Sequence, residues 1–178
     1  MRGHFAAMPY ADVPPFMAKL HSSEGSAAKA LALVILCASR PSEVLDMTWD
    51  EVQFAAAAKL WTVPTSRMKM GVEHVVPLSD ATVDLLRGHR ATRRSNHTYV
   101  FPGVRPAKPL SASTLKKTMR RLCAGEYTFH GFRSAFRDWA ADRGVEFEVA
   151  EQCLAHAVGN SVTRGPICAP RCWSAAAG

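Results

Sequence analysis

The sequence predicts an α+β fold, mainly α, with one small three-stranded antiparallel sheet. Three observations predict it. Residues 27–38 form an almost wholly apolar run, and a helix apolar all round belongs in a core. Between Trp49 and Leu78 the pattern changes to short runs with alternating character, separated by turn residues. From Ser79 onward, Ser79-Asp80 and then Ser111 or Ser113 stand as capping residues, and Thr128 precedes a further stretch of helical period.

Taken in order, residues 1–9 read as a lead without regular structure. Asp12 or Pro14 starts a helix to Leu20, with Pro14 and Pro15 in its first turn, where the missing N–H costs nothing. Ser22–Ser26 is a polar break, and the apolar helix Ala27–Ala38 follows. Pro41–Met47 reads as a short helix with Arg40 at the junction. Trp49–Phe54, Leu60–Pro64 and His74–Leu78 are the three strands, and Gly71 turns the chain between the second and third. Ser79-Asp80 caps a helix through Leu86, and a loop then carries Tyr99-Val-Phe-Pro-Gly. Ser111 or Ser113 caps a basic helix to Cys123, Thr128 precedes a helix over His130–Ala141, and Glu146–Leu154 is the last helix, ending near His156.

The 178 residues are enough for one domain with a buried core, and 48% hydrophobic content argues against disorder. No apolar run approaches the roughly 18 residues of a membrane span, and Met-Arg-Gly-His-Phe lacks a secretory apolar region. The expectation is a cytoplasmic protein without a membrane partner. Five scattered cysteines read as reduced thiols. The net charge of +7 is concentrated: no Asp or Glu occurs between Leu85 and Gly125. That stretch holds Arg87, Arg90, Arg93, Arg94, Arg105, Lys108, Lys116, Lys117, Arg120 and Arg121, while the rest of the chain is slightly acidic. Such a segment is the electrostatic footprint of a polyanion-binding protein. Arginine outnumbers lysine fifteen to seven, and the guanidinium fork suits phosphate oxygens.

Two arginines far apart in sequence, Arg40 and Arg133, can grip a phosphodiester from two sides, while Lys69, His130 and His156 can donate protons or hydrogen bonds to developing charge. No carboxylate cluster has metal-ligand spacing and no Gly-rich phosphate loop is present, which disfavours a two-metal nuclease and a nucleotide hydrolase. Each residue alone also has a plain structural reading. Arg40 can complement a helix C-terminus, His130 can cap a helix, and Arg133 or Arg137 can pair with Asp138 or Glu146. A zinc-binding interaction domain using His156, Cys168 and Cys172 is a distant third reading.

The order Arg40…Lys69…His130-Gly-Phe-Arg133…His156 resembles the constellation of the tyrosine recombinases, the phage-integrase family. The likeness runs from about Met8 to Val162. Arg40-Pro-Ser-Glu-Val-Leu with Trp49-Asp50-Glu51 resembles the first arginine box. Arg67-Met-Lys-Met and Glu73-His74-Val-Val-Pro77-Leu78-Ser79 resemble the hairpin that presents the lysine. Phe101-Pro102-Gly103 and Pro109-Leu110-Ser111 are similar to a prophage-integrase subgroup. His130–Ala140 is the strongest box, and Leu154-Ala-His156-Ala-Val-Gly159 resembles the last His box. The resemblance implies an integrase-type catalytic domain that needs no cofactor and no metal, with double-stranded DNA and other recombinase protomers as partners. It implies site-specific DNA recombination or integration by transesterification, in which a tyrosine attacks a DNA phosphate and releases a 5′-hydroxyl. Arg40 and Arg133 would hold the non-bridging oxygens, with Glu43 orienting Arg40. Lys69 would protonate the leaving oxygen, His130 would assist at the tyrosine, and His156 would donate to the phosphate. Arg67, Arg90, Arg93, Arg94, Lys116, Lys117, Arg120 and Arg121 are the expected DNA-binding residues.

The family's nucleophilic tyrosine follows the last His, yet Tyr10, Tyr99 and Tyr127 all precede His156. Residues 1–11 are therefore read as a linker remnant, 12–162 as the catalytic domain, and 163–178 as an aberrant tail from a shifted reading frame, which permits a tyrosine near position 166. The expectation is an inactive recombinase domain, with a non-catalytic DNA-binding remnant of a prophage integrase as the alternative.

Overall fold

The computed structural model describes residues 6–55, 58–68, 71–92, 97–105, 107–123 and 126–156. Helix α1 (Val13–His21) follows a 3-10 turn at Tyr10–Asp12, and α2 is Ser26–Leu36. The short α3 is Pro41–Leu45. Strands β1 (Val52–Ala55), β2 (Ala58–Val63) and β3 (His74–Pro77) come next, then α4 (Asp80–Ala91), α5 (Ala112–Leu122), α6 (Phe129–Asp142) and α7 (Phe147–Cys153). The sheet is antiparallel in the order β1-β2-β3, with Trp61 of β2 opposite Val52 and Val76. The mainly helical class with one small sheet is the one the sequence predicts.

Helix α2 is the hub, touching α1, α3, α4, α5 and α6. Its Leu31, Leu33 and Ile35 are fully buried, each contributing about 1.5–3 kcal/mol through apolar burial. Phe16 of α1 stacks on Phe132 of α6 at 5.6 Å between ring centres. Leu115 and Met119 are the buried stripe of α5, one helical turn apart, while its charged residues stay in water. The expected caps are present: Ser79, Ser111 and Thr128 side chains accept from the N–H three residues on, at 3.2, 3.2 and 3.0 Å.

Several element boundaries differ from the sequence reading. The apolar helix begins one residue earlier and ends at Leu36, not Ala38. Helix α3 stops at Leu45, short of Met47. Trp49–Glu51 is a 3-10 turn, so β1 begins at Val52, and Glu51 uses the turn to accept from the buried Trp61 indole at 3.1 Å. Helix α4 runs to Ala91, past the expected Leu86, because His89 continues its buried face behind a misleading Gly88. The loop at 97–105 is also more fixed than its composition suggests. Val100 N–H donates to Met47 at 2.8 Å, and Phe101 is fully buried against the His89 ring at 4.9 Å.

Helices α2 and α7 end alike. Beyond α2, the N–H of Ser39 reaches back to Val34 and that of Ala38 to Ile35. Beyond α7, His156 reaches Glu151 and Ala155 reaches Gln152. Both are Schellman motifs, whose turning residue must be left-handed and is usually glycine. Here it is alanine, with φ of 48° at Ala38 and 50° at Ala155. Ala155→Gly should therefore raise stability by about 1 kcal/mol and Tm by about 2–4 °C. A thermal melt with Tm unchanged or lowered would contradict the strain assigned to this position.

Candidate active site

The site grows from one buried cation. Arg133 lies one turn into α6, held by the Thr128 cap, and only 5% of its surface reaches water. It wedges between the ends of α2 and α7. One terminal nitrogen donates to the Ala38 carbonyl at 2.5 Å, and the other donates to the Leu154 carbonyl at 2.5 Å. The two Schellman turns thus aim carbonyls at it, and the negative ends of two helices face one guanidinium. The second nitrogen also meets His156 Nε2 at 3.0 Å. Burial, and after it the nearby charge of Arg40, push the Arg133 guanidinium down to about 10, still fully charged at neutral pH.

Arg40 stands in an extended conformation immediately before α3. Glu43, 4% exposed, accepts from the Arg40 backbone N–H at 2.9 Å and from its guanidinium at 2.7 Å. One carboxylate therefore fixes both ends of the residue. Pro41, at the first helical position, pre-sets the turn that makes this three-residue reach possible.

His156, just past α7, is held from both sides. Its Nδ1 meets the buried Glu151 carboxylate at 2.8 Å, while Nε2 faces Arg133. A carboxylate only accepts and a guanidinium only donates, so both contacts are satisfied by the neutral ring with its proton on Nδ1. Burial lowers the affinity of His156 for a second proton, opposed by Glu151 and reinforced by Arg133. The other Glu151 oxygen lies 2.9 Å from Arg137 Nε, an ion pair without hydrogen-bond alignment.

His130 is exposed in the first turn of α6, three residues before Arg133 and on the same helix face. Lys69 lies outside the described residues, as do Arg93, Arg94, Cys168, Cys172 and the tail. Of the other expected DNA contacts, Lys116, Lys117, Arg120 and Arg121 line the exposed side of α5. Arg90 is exposed over the Trp49 ring at 5.4 Å. Arg67 is turned inward: it pairs with Glu51 and donates to the Glu43 carbonyl at 3.2 Å, bracing the backbone behind Arg40. A groove of about 1030 Å³ borders Pro41 and Ser42, with Arg105, Lys108 and the start of α5 on its other side. Among the described residues, no His, Cys, Asp and Glu cluster could hold a metal ion, and no helix is long and apolar enough to cross a membrane.

The structure adds two residues that were not expected in the site. Glu151 is one. Its five-residue spacing to His156 crosses a helix end, where helical periodicity no longer predicts contact. His74 is the other, the first residue of β3, paired with Val63. It is close enough to Glu43, Arg40 and Arg133 to feel their charges, and burial lowers its proton affinity. An alternating strand pattern flags a half-buried position there but not what it faces.

Comparison with known proteins places this geometry. The model of the phage integrase family matches residues 8–164. The prophage integrase IntA of Escherichia coli (strain K12) is 32% identical over 132 residues, covering 73% of this chain and 31% of that protein. The integrase of Enterobacteria phage P4 is 30% identical over 178 residues, covering 89% and 40%. The chain thus spans between three and four tenths of the length of these curated relatives. Among solved structures, XerH site-specific recombinase bound to difH substrate superposes with a TM-score of 0.69 at 14% identity, covering 86% of this chain and 47% of that one. A lambda integrase dimer bound to a COC′ core site gives 0.67 at 16%, covering 93% and 62%. At these identities the two structures speak for the fold.

His74 and His156 both bind protons less readily in the fold than at the ordinary value of 6.5. The unfolded chain therefore takes up more protons as pH falls through and below 6.5, so stability present above that pH is lost in acid. The urea midpoint should fall as pH is lowered across this window, and His74→Gln should flatten the dependence. An equally steep profile in that variant would remove His74 from the account.

Proposed function

This chain belongs to the phage integrase family, with a tyrosine-recombinase catalytic-domain fold, and we propose that it binds double-stranded DNA and seats one backbone phosphate between Arg40 and Arg133. The observation that carries this reading is the convergence of those two guanidinium groups with His156, from segments nearly a hundred residues apart. Among the described residues, three of the five Arg133 N–H groups are engaged, with Ala38, Leu154 and His156. Such fixed donors stabilise charge on non-bridging oxygens without reorganising during reaction.

In the complete reaction of this reading, a tyrosine hydroxyl attacks the phosphorus, the 3′-phosphate becomes tyrosyl-linked, and the 5′-oxygen leaves with a proton. Lys69 supplies that proton, His130 assists at the attacking hydroxyl, and His156 stabilises the phosphate. Other protomers complete the assembly on DNA. A specific observation favours a second reading for this chain alone. No tyrosine follows His156 in the sequence, and in-line attack needs an activated hydroxyl at the phosphate. The chain then grips DNA without cutting it.

Binding should be strongly salt-dependent, because neutralised phosphates release counterions. Affinity for a DNA duplex should fall about tenfold or more over a severalfold rise in salt. Reversing Lys116, Lys117, Arg120 and Arg121 to Glu should weaken binding and flatten the salt slope. Isotherms that superpose at low and moderate salt would exclude the reading.

Incubated with a nicked suicide substrate, the chain should form no covalent complex on a denaturing gel. A shifted protein–DNA band that disappears on Tyr127→Phe would show instead that Tyr127, three residues before His130, supplies a nucleophile.

A further inference from the structure

We propose that Glu151 is a positioning residue that sets His156 as a proton-accepting phosphate ligand, so that seating a DNA phosphate draws one proton from solvent onto His156 Nε2. The inference rests on the phosphate-binding reading above and adds to it a residue and a linkage.

The argument begins with a conflict. To stabilise a phosphate, His156 must offer a hydrogen there. In the empty site it does not, because Glu151 holds the ring proton on Nδ1 and Nε2 accepts from Arg133 at 3.0 Å. Flipping the tautomer offers no exit. It would put an N–H against the Arg133 guanidinium and face the bare Nδ1 lone pair to a carboxylate, two repulsive contacts at once. The remaining route is to protonate Nε2 while Nδ1–H stays on Glu151. Arg133 then gives up its contact with His156 and keeps its bonds to Ala38 and Leu154. One N–H bond forms at Nε2, the proton comes from water, and the released Arg133 N–H becomes available to the same phosphate.

Charge decides when this happens. The groups acting on the ring are Glu151 from α7, Arg133 from α6, and Arg40 before α3. Arg137, also from α6, lies against the far oxygen of Glu151. Burial and the two arginines weigh against a second proton on the ring, and Glu151 opposes them. An incoming phosphodiester offsets the arginine charges at close range, and Glu151 then favours the imidazolium. Glu151 is suited to the task because it is 8% exposed, hydrogen-bonded to His156 through one oxygen and ion-paired with Arg137 through the other.

The test uses the full chain with its histidines labelled in the ring nitrogens, followed by NMR with and without a short DNA duplex at low salt. His156→Gln assigns the signal. In the free chain His156 should be the neutral Nδ1–H form and titrate below the ordinary histidine range. With DNA its midpoint should rise by about one pH unit or more. Glu151→Gln should abolish that rise, and Glu151→Asp should retain part of it, which keeps the test decisive if the first variant folds poorly. A purely packing role for Glu151 would leave the DNA-induced rise at its full size in both variants. A free chain with the proton on Nε2, or DNA binding that leaves the His156 midpoint unchanged, overturns this inference alone. Failure of the duplex to bind at all overturns the phosphate-binding reading and the linkage with it.

Discussion

A guanidinium buried between two helix ends is the constraint on which the rest of the structure depends. Arg133 cannot be desolvated cheaply, and a charged group without partners in that position would cost several kcal/mol. The fold offsets the cost with carbonyls from the far ends of α2 and α7. Those carbonyls are in place only because each helix closes with a left-handed turn. An alanine in that conformation is strained by about 1–2 kcal/mol. The two left-handed turns, the two helix ends and the buried charge are therefore one arrangement. It also joins the ends of the chain's described region, since α2 lies early and α7 late.

Arg40 is supported by the opposite chemistry. Its partner is a carboxylate three residues away, and that local pairing would form in many contexts. What makes it part of a site is the backbone behind it. Arg67, pinned to Glu51, holds the Glu43 carbonyl, and Glu51 in turn holds the buried Trp61 of the central strand. The sheet is thereby coupled to α3 by polar contacts, while the helices are coupled to one another by apolar burial. This division explains why Arg67, which composition presents as one more basic residue for DNA, is an internal brace.

Much of this was legible in the sequence, and the division between what was and was not is physical. The cap at Ser79, the cap at one of Ser111 and Ser113, the apolar α2 and the basic face of α5 were read correctly because each is decided within a few residues. The Arg40–Glu43 pair was legible through the family resemblance. Glu151 and His74 were not, because both act across element boundaries where periodicity carries no information. The inward turn of Arg67 was equally hidden, since a cation near an exposed hairpin and a cation over a buried carboxylate have the same local sequence. The boundaries at Trp49 and Leu86 failed for a related reason: Glu51 and His89 are set by tertiary partners, and a Gly at position 88 argues locally for an end that burial overrides.

The same energetics bear on the groups that would hold a phosphate under the proposed reading. Arg133 is part of the packing between α2, α6 and α7, Glu43 is buried under Arg40, and Glu151 ties His156 to α6 through Arg137. Removing any of them leaves a buried or half-exposed partner without its bond, at about 1–3 kcal/mol for the buried ones. Against a total stability of only about 5–15 kcal/mol, such losses threaten folding itself. Anion-binding geometry is thus maintained by stability, whether or not strand cleavage is. Under the proposed reading, a domain without its tyrosine keeps a competent phosphate seat for as long as it stays folded.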